Sequence, residues 1–177
     1  EDWWVRRGQS SNTPATYVSW HEAARFCNWL TTGDTNLGFY SSGGSYDESP
    51  DHGLNHKQYA NANGLTYFIP TEDEWYKAAY YDPDKSGGTA GYWDYATQHD
   101  NPRPGNETDP DGIDSNGDAD FDAVFNDGYN QGHPNEVSNS GVRSAYGTYG
   151  QAGNVAEWSE TEAGLDRRAR GANWSMT

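Results

Sequence analysis

Apolar residues recur at helical spacing in two stretches of the chain. In the first, Ala23, Phe26, Cys27 and Leu30 fall on one face of Ser19–Leu30. Ser19 and Glu22 stand as N-cap and N3 of a capping box, and Gly33 is a stop. The spacing predicts a helix over 19–30 with that face on the core. In the second, Thr71-Glu72-Asp73-Glu74 forms another capping box after Pro70. Trp75, Ala78, Ala79 and Tyr81 continue the pattern until Pro83 ends it. Between them, Leu65-Thr66-Tyr67-Phe68-Ile69 reads as a short strand.

The rest is dominated by turn formers. Residues 33–64 and 82–141 carry Gly, Ser, Asn and Asp with few apolar anchors, and the rings scattered through them point to ordered loops pinned by Tyr and Trp. Gly153–Trp158 and Arg170–Trp174 read as short strands or turns carrying buried Trp. No internal repeat of fixed period is present. The pattern fits a single α+β domain over 1–177, with two main helices, short strands and long ordered loops.

Composition sharpens this picture. Leu, Ile, Val and Phe together number 18 of 177 residues and the net charge is −16, values that belong to disordered chains. Eight Trp, 13 Tyr and five Phe contradict disorder, because each buried ring removes about 150–250 Å² from water. The core is therefore expected to be built on rings, with Trp20, Trp29, Trp75, Trp158 and Trp174 replacing aliphatics. No apolar run is long enough to span a membrane, and Glu1-Asp2-Trp3-Trp4 does not read as a signal peptide. The acidity opposes nucleic acid and anionic membrane surfaces. It favours cations, calcium first, since calcium takes hard oxygen ligands. Solubility alone is the other reason for such a charge. One cysteine, Cys27, excludes an internal disulfide or a multi-cysteine metal site.

A second acidic feature is the run Asp109–Asp122. Asp114, Asn116, Asp118 and Asp120 place oxygens at the alternate positions that open a calcium loop. Ala119 stands at its sixth position and Phe125 at its twelfth, so it is no EF-hand. It is either an irregular calcium loop or a solvated acidic loop. His52 and His56 share an i, i+4 spacing that suits a metal on a helix, but Gly53 and the surrounding Ser, Asp and Asn read as loop.

Four blocks in order carry a family resemblance: Pro14–Leu30, Ile69–Ala79, Tyr146–Trp158 and Arg170–Trp174. With them the chain resembles the formylglycine-generating-enzyme-like, or sulfatase-modifying-factor, family. The wording of the second block is similar to that of secreted or surface-attached bacterial members. The resemblance implies a compact, irregular, C-type-lectin-like α+β fold. It also implies calcium at the turn ending in Glu157, through the carbonyls of Gly150, Gly153 and Val155 and the carboxylate of Glu157.

The family's oxidases hold copper with two cysteines. Aligned on Arg170–Trp174, the first falls at Met176 and the second beyond Thr177. A thioether is not a thiolate nucleophile, so copper chemistry is not expected here. A further branch holds iron with His-x-x-x-His-x-Glu, echoed by His52, His56 and Gln58, but with Gln in place of Glu. The leading expectation is a non-catalytic, calcium-stabilised extracellular or cell-surface domain. It would present Tyr- and Trp-rich loops to carbohydrate or protein surfaces, or assemble with its own copies into an oligomer or filament. The alternative is a copper or iron oxidase whose second cysteine lies in a C-terminal extension, Thr177 falling inside a family block.

Overall fold

The computed structural model describes residues 12–47, 56–100 and 134–174. Three helices and three two-stranded pairings organise them: α1 (Trp20–Thr32), β1 (Ser41–Ser42), β2 (Ser45–Tyr46), α2 (His56–Asn63), α3 (Glu72–Tyr80), β3 (Tyr81–Asp82), β4 (Gly91–Tyr92), β5 (Glu157–Ala163) and β6 (Asp166–Arg170). The fold is α+β, with one helix more than the two expected. β1–β2 and β3–β4 are antiparallel, with Ser41 opposite Tyr46 and Tyr81 opposite Tyr92. β5 and β6 are joined by Gly164-Leu165 and form the longest pairing.

The residues fall into two compact units. The first takes Tyr17–Thr71 and Trp158–Arg168; the second takes Glu72–Glu157 with the described flanks 12–16 and 169–174. In the first unit, α1 starts as its sequence dictates. The Ser19 hydroxyl accepts from the Glu22 amide at 3.3 Å, and the Glu22 carboxylate accepts from the Ser19 amide at 2.8 Å. That backbone bond from Ser19 holds the Glu22 carboxyl below the ordinary carboxylate range. Gly33 closes the helix at φ +80, a conformation open to glycine at little cost.

The core of this unit joins Trp20, Ala24, Phe39, Tyr40 and Ile69, with Ala23, Cys27, Tyr59, Phe68 and Trp158 packed against it. Phe39 meets Tyr40, Tyr59 and Phe68 edge-on at centroid distances of 5.1, 5.0 and 4.9 Å, the geometry ring quadrupoles favour. A polar staple fixes the loop after α1. Asn28, 1% exposed, donates from Nδ2 to the Tyr40 carbonyl at 3.0 Å and to the Thr35 carbonyl at 3.2 Å. Its Oδ1 accepts from the Tyr40 amide at 3.0 Å.

The α1 face differs from the one the spacing predicts. Trp20, Ala24 and Asn28 are buried, whereas Phe26 and Leu30 are exposed. A stripe at i, i+4, i+8 through Asn28 was hidden from a purely apolar count, because the polar member is buried by its three hydrogen bonds. Trp29, expected in the core, lies half-exposed and stacked on Phe26 at 5.9 Å. Residues 65–69 are not a strand. They run irregularly, with Ile69 donating its amide to the Tyr40 hydroxyl and Tyr67 donating to Thr31. α2, with no buried residue, lies where only loop was expected, so it has no apolar stripe to read.

In the second unit, α3 begins at Glu72 directly after Thr71, and Trp75 and Ala79 are its buried residues. Together with Ala96, Tyr80 and Ala152 they form the core. Tyr81, expected on the helix, belongs to β3. The β5–β6 hairpin, most of it in the first unit, was also missed: its Glu-, Thr- and Arg-rich strands carry no clean alternation.

Candidate functional site

The turn that leads into β5 carries Gly150, Gly153, Val155 and Glu157. Left-handed backbone at Gly150 (φ +73), Gly153 (φ +147) and Asn154 (φ +65) reverses the chain within five residues. Asn154 pays conformational strain there and is held by its neighbours. Its Oδ1 accepts from the Asn135 amide at 2.9 Å, its Nδ2 donates to the Asn135 carbonyl at 3.3 Å, and its carbonyl accepts from the Trp174 amide at 3.0 Å. Gln151, also buried, donates to the Trp75 carbonyl at 3.5 Å and accepts from Thr148.

Glu157 follows. Its Oε2 accepts from the Trp75 indole N–H at 2.5 Å. Burial pushes its carboxyl above the ordinary carboxylate value, an effect the indole hydrogen bond opposes. Among the described residues no basic side chain lies against it. The Val155 carbonyl and the indole both border Gly171. A Cβ built on Gly171 would lie 3.6 Å from the Val155 oxygen, 3.5 Å from the Gln151 oxygen and 3.7 Å from Cζ2 of Trp75, the ring atom next but one to Nε1. Gly171 itself stands at φ +74, so the chain there needs glycine. The Gln151 and Val155 carbonyls and the Trp75 ring thus all border Gly171, while Glu157 meets the indole N–H. Gly150 packs instead against Ser140 and Asn154, and Gly153 is buried in the turn. Next to Gly171, Arg170 is ion-paired with Glu72 of α3.

By donor type alone, the expected ligands are of the kind calcium takes. Three carbonyls and one carboxylate are hard oxygen donors, and water would complete the shell of about six to eight. A part-buried carboxylate whose partner is a neutral indole leaves a negative charge that a cation would satisfy. Among the described residues no three His, Cys, Asp or Glu side chains gather into a metal cluster. Asp114, Asn116, Asp118 and Asp120 lie outside the described residues, as do His52 and Met176.

A second polar centre, not foreseen from the sequence, lies part-buried in the first unit. Glu160 accepts from the Tyr40 hydroxyl at 2.7 Å and pairs with His56 Nε2 at 2.8 Å. His56 opens α2 and stacks on Phe68 at 4.2 Å. Burial first, and the Glu160 charge second, push the Tyr40 phenol far above its ordinary value. The same two causes push the Cys27 thiol up to about 11. Cys27 is therefore a protonated, shielded thiol at neutral pH. At pH 8 the native protein is expected to react with iodoacetamide roughly a hundredfold more slowly than the unfolded chain. Equal rates, followed by mass spectrometry, would contradict this.

The described residues form an α+β fold with a shielded cysteine, and none of their helices is long and apolar enough to cross a membrane. The chain matches the family model of the sulfatase-modifying factor enzyme 1-like domain over residues 2–175, and it belongs to that family. A search of curated proteins found no match, and neither did a search of solved structures.

Proposed function

We propose that the chain is a non-catalytic recognition or structural domain of this family, stabilised by calcium and acting outside the cell or at its surface. The observation that carries the reading is Glu157, a part-buried carboxylate raised by burial and partnered by the Trp75 indole. In the proposal, Glu157 and the carbonyls of Gly150, Gly153 and Val155 hold the ion, and bound calcium fixes the turn. The sequence favours the non-catalytic part at an aligned position, where Met176 stands in place of the first copper-binding cysteine, and burial keeps the Cys27 thiol protonated. The net charge of −16 suits a calcium-rich exterior. Exposed rings such as Tyr17, Tyr92 and Tyr146 suit contact with carbohydrate or protein.

Elemental analysis of the purified, undenatured protein tests the reading. Calcium at one or more equivalents per chain, with copper and iron at background, is the expected result. Stoichiometric copper or iron would replace it with an oxidase.

A further inference from the structure

In the first unit a cleft of about 730 Å³ opens between the start of α1 and the β5–β6 hairpin. That volume falls within the roughly 300–1,000 Å³ of small-ligand sites. Trp20 and Trp158 contribute to its wall. Both indole N–H groups are turned inward: Trp20 donates to the Ser159 carbonyl at 3.2 Å and Trp158 to the Val18 carbonyl at 2.9 Å. Trp20 is only 5% exposed and Arg167 covers its ring, so the hydrocarbon offered to the cleft is that of the part-buried Trp158.

The polar lining has a different character. Arg167 lies 4.4 Å over the Trp20 ring and donates to the Glu160 carbonyl, so its guanidinium is fixed before any ligand arrives. Glu162 stands 3.8 Å from the same guanidinium with its side chain 66% exposed. Asp166 and His21 line the cleft as well, and both are exposed. Two carboxylates against one guanidinium leave the cleft net negative. At its rim the hairpin tip carries Gly164 at φ +71 and a fully exposed Leu165. Two residues before Ser19, Tyr17 is 98% exposed and sits at φ +59. Non-glycine backbone in that region costs energy and collects at functional sites.

We propose that this cleft is a saccharide-binding site for a neutral or amino sugar. A sugar ring has a C–H face and an edge of vicinal hydroxyls. Indole carbon suits the face. Carboxylates and a braced guanidinium suit the edge, accepting and donating in pairs. The excess negative charge disfavours uronic acids and sugar phosphates. Because Arg167 and both indoles are held by backbone carbonyls, little side-chain entropy remains to be lost on binding. The proposal deepens the recognition reading given above and rests on it, but it does not depend on calcium.

The test is saturation-transfer NMR and tryptophan fluorescence on the calcium-loaded protein, with glucose, galactose, mannose, N-acetylglucosamine and glucosamine at millimolar concentration, and glucuronate and glucose 6-phosphate as comparators. At least one neutral or amino sugar is expected to bind, with the anionic forms about tenfold weaker or worse. Glu162→Gln combined with Asp166→Asn is expected to cost about tenfold in affinity, the worth of a charge-assisted hydrogen bond, with an unchanged melting temperature. Leu165→Ala provides a second surface variant and is expected to weaken binding by a smaller factor. The proposal is overturned if no sugar in the panel binds, if the double variant binds as the parent does, or if glucuronate binds as tightly as glucose. Sugar binding that survives a chelator would leave the cleft standing even where the calcium reading fails.

Discussion

Glu157→Gln is expected to abolish the stabilisation that calcium gives, while leaving the chelated protein no less stable than its parent. Glutamine keeps an oxygen to accept the Trp75 N–H and removes the charge that burial penalises. At free calcium a hundredfold over its dissociation constant, a single site stabilises by roughly 2.7 kcal/mol. For a chain of 177 residues this is a melting shift of roughly 5–10 °C, which the variant should lack. The pH dependence has opposite signs in the two conditions. Without calcium, the native state holds the Glu157 proton over a window above the ordinary carboxylate value in which the unfolded chain has released it. Stability through this group then falls as pH rises across that window. With calcium, the ionised form is the one that binds, so stability should rise with pH over the same window. Thermal melting of both proteins across that range, with and without chelator, reads both signs.

Asn28→Ala should produce a loss of similar size, independent of calcium. The substitution removes three hydrogen bonds from a side chain that is 1% exposed. It strands the amide of Tyr40, a fully buried residue, while the Tyr40 carbonyl keeps the Asp47 amide at 3.1 Å. The stranded amide costs about 1–3 kcal/mol and each of the other lost bonds about 0.5–1.5 kcal/mol, so a loss of roughly 3 kcal/mol is expected, near 6–12 °C in the melting midpoint. Gly38→Ala strikes the same staple from the other side. It stands at φ +139, and its added Cβ would approach Asn28 Oδ1 to 2.6 Å. Because both changes disrupt one contact, their effects should fall short of additive. A full sum in chemical denaturation would show that the staple is not a unit.

The starts of α1 and α3 were readable because their start signals are local. Ser19 and Glu22 lie three residues apart and report directly on the first turn. The core face of α1 was not readable from apolar spacing, because Asn28 belongs to it through partners at Thr35 and Tyr40. Residues 65–69 look like a strand by composition, yet the Ile69 amide goes to a tyrosine hydroxyl rather than to a ladder. α2 carries no apolar face to detect. At the candidate site, Glu157 was visible through its block, whereas its partner Trp75 was legible only as a core ring. The Asn135–Asn154 pairing joins residues 19 apart, and nothing local announces it. The Tyr40–Glu160–His56 centre depends on contacts spanning more than 100 residues, beyond any pattern of spacing.

The most direct measurement is the melting temperature of the wild-type protein in saturating calcium and again in excess chelator, at neutral pH. A fall of roughly 5–10 °C in chelator, restored by added calcium and absent in Glu157→Gln, is the result expected if the ion occupies this turn. An identical melting temperature in both conditions would contradict calcium at Glu157.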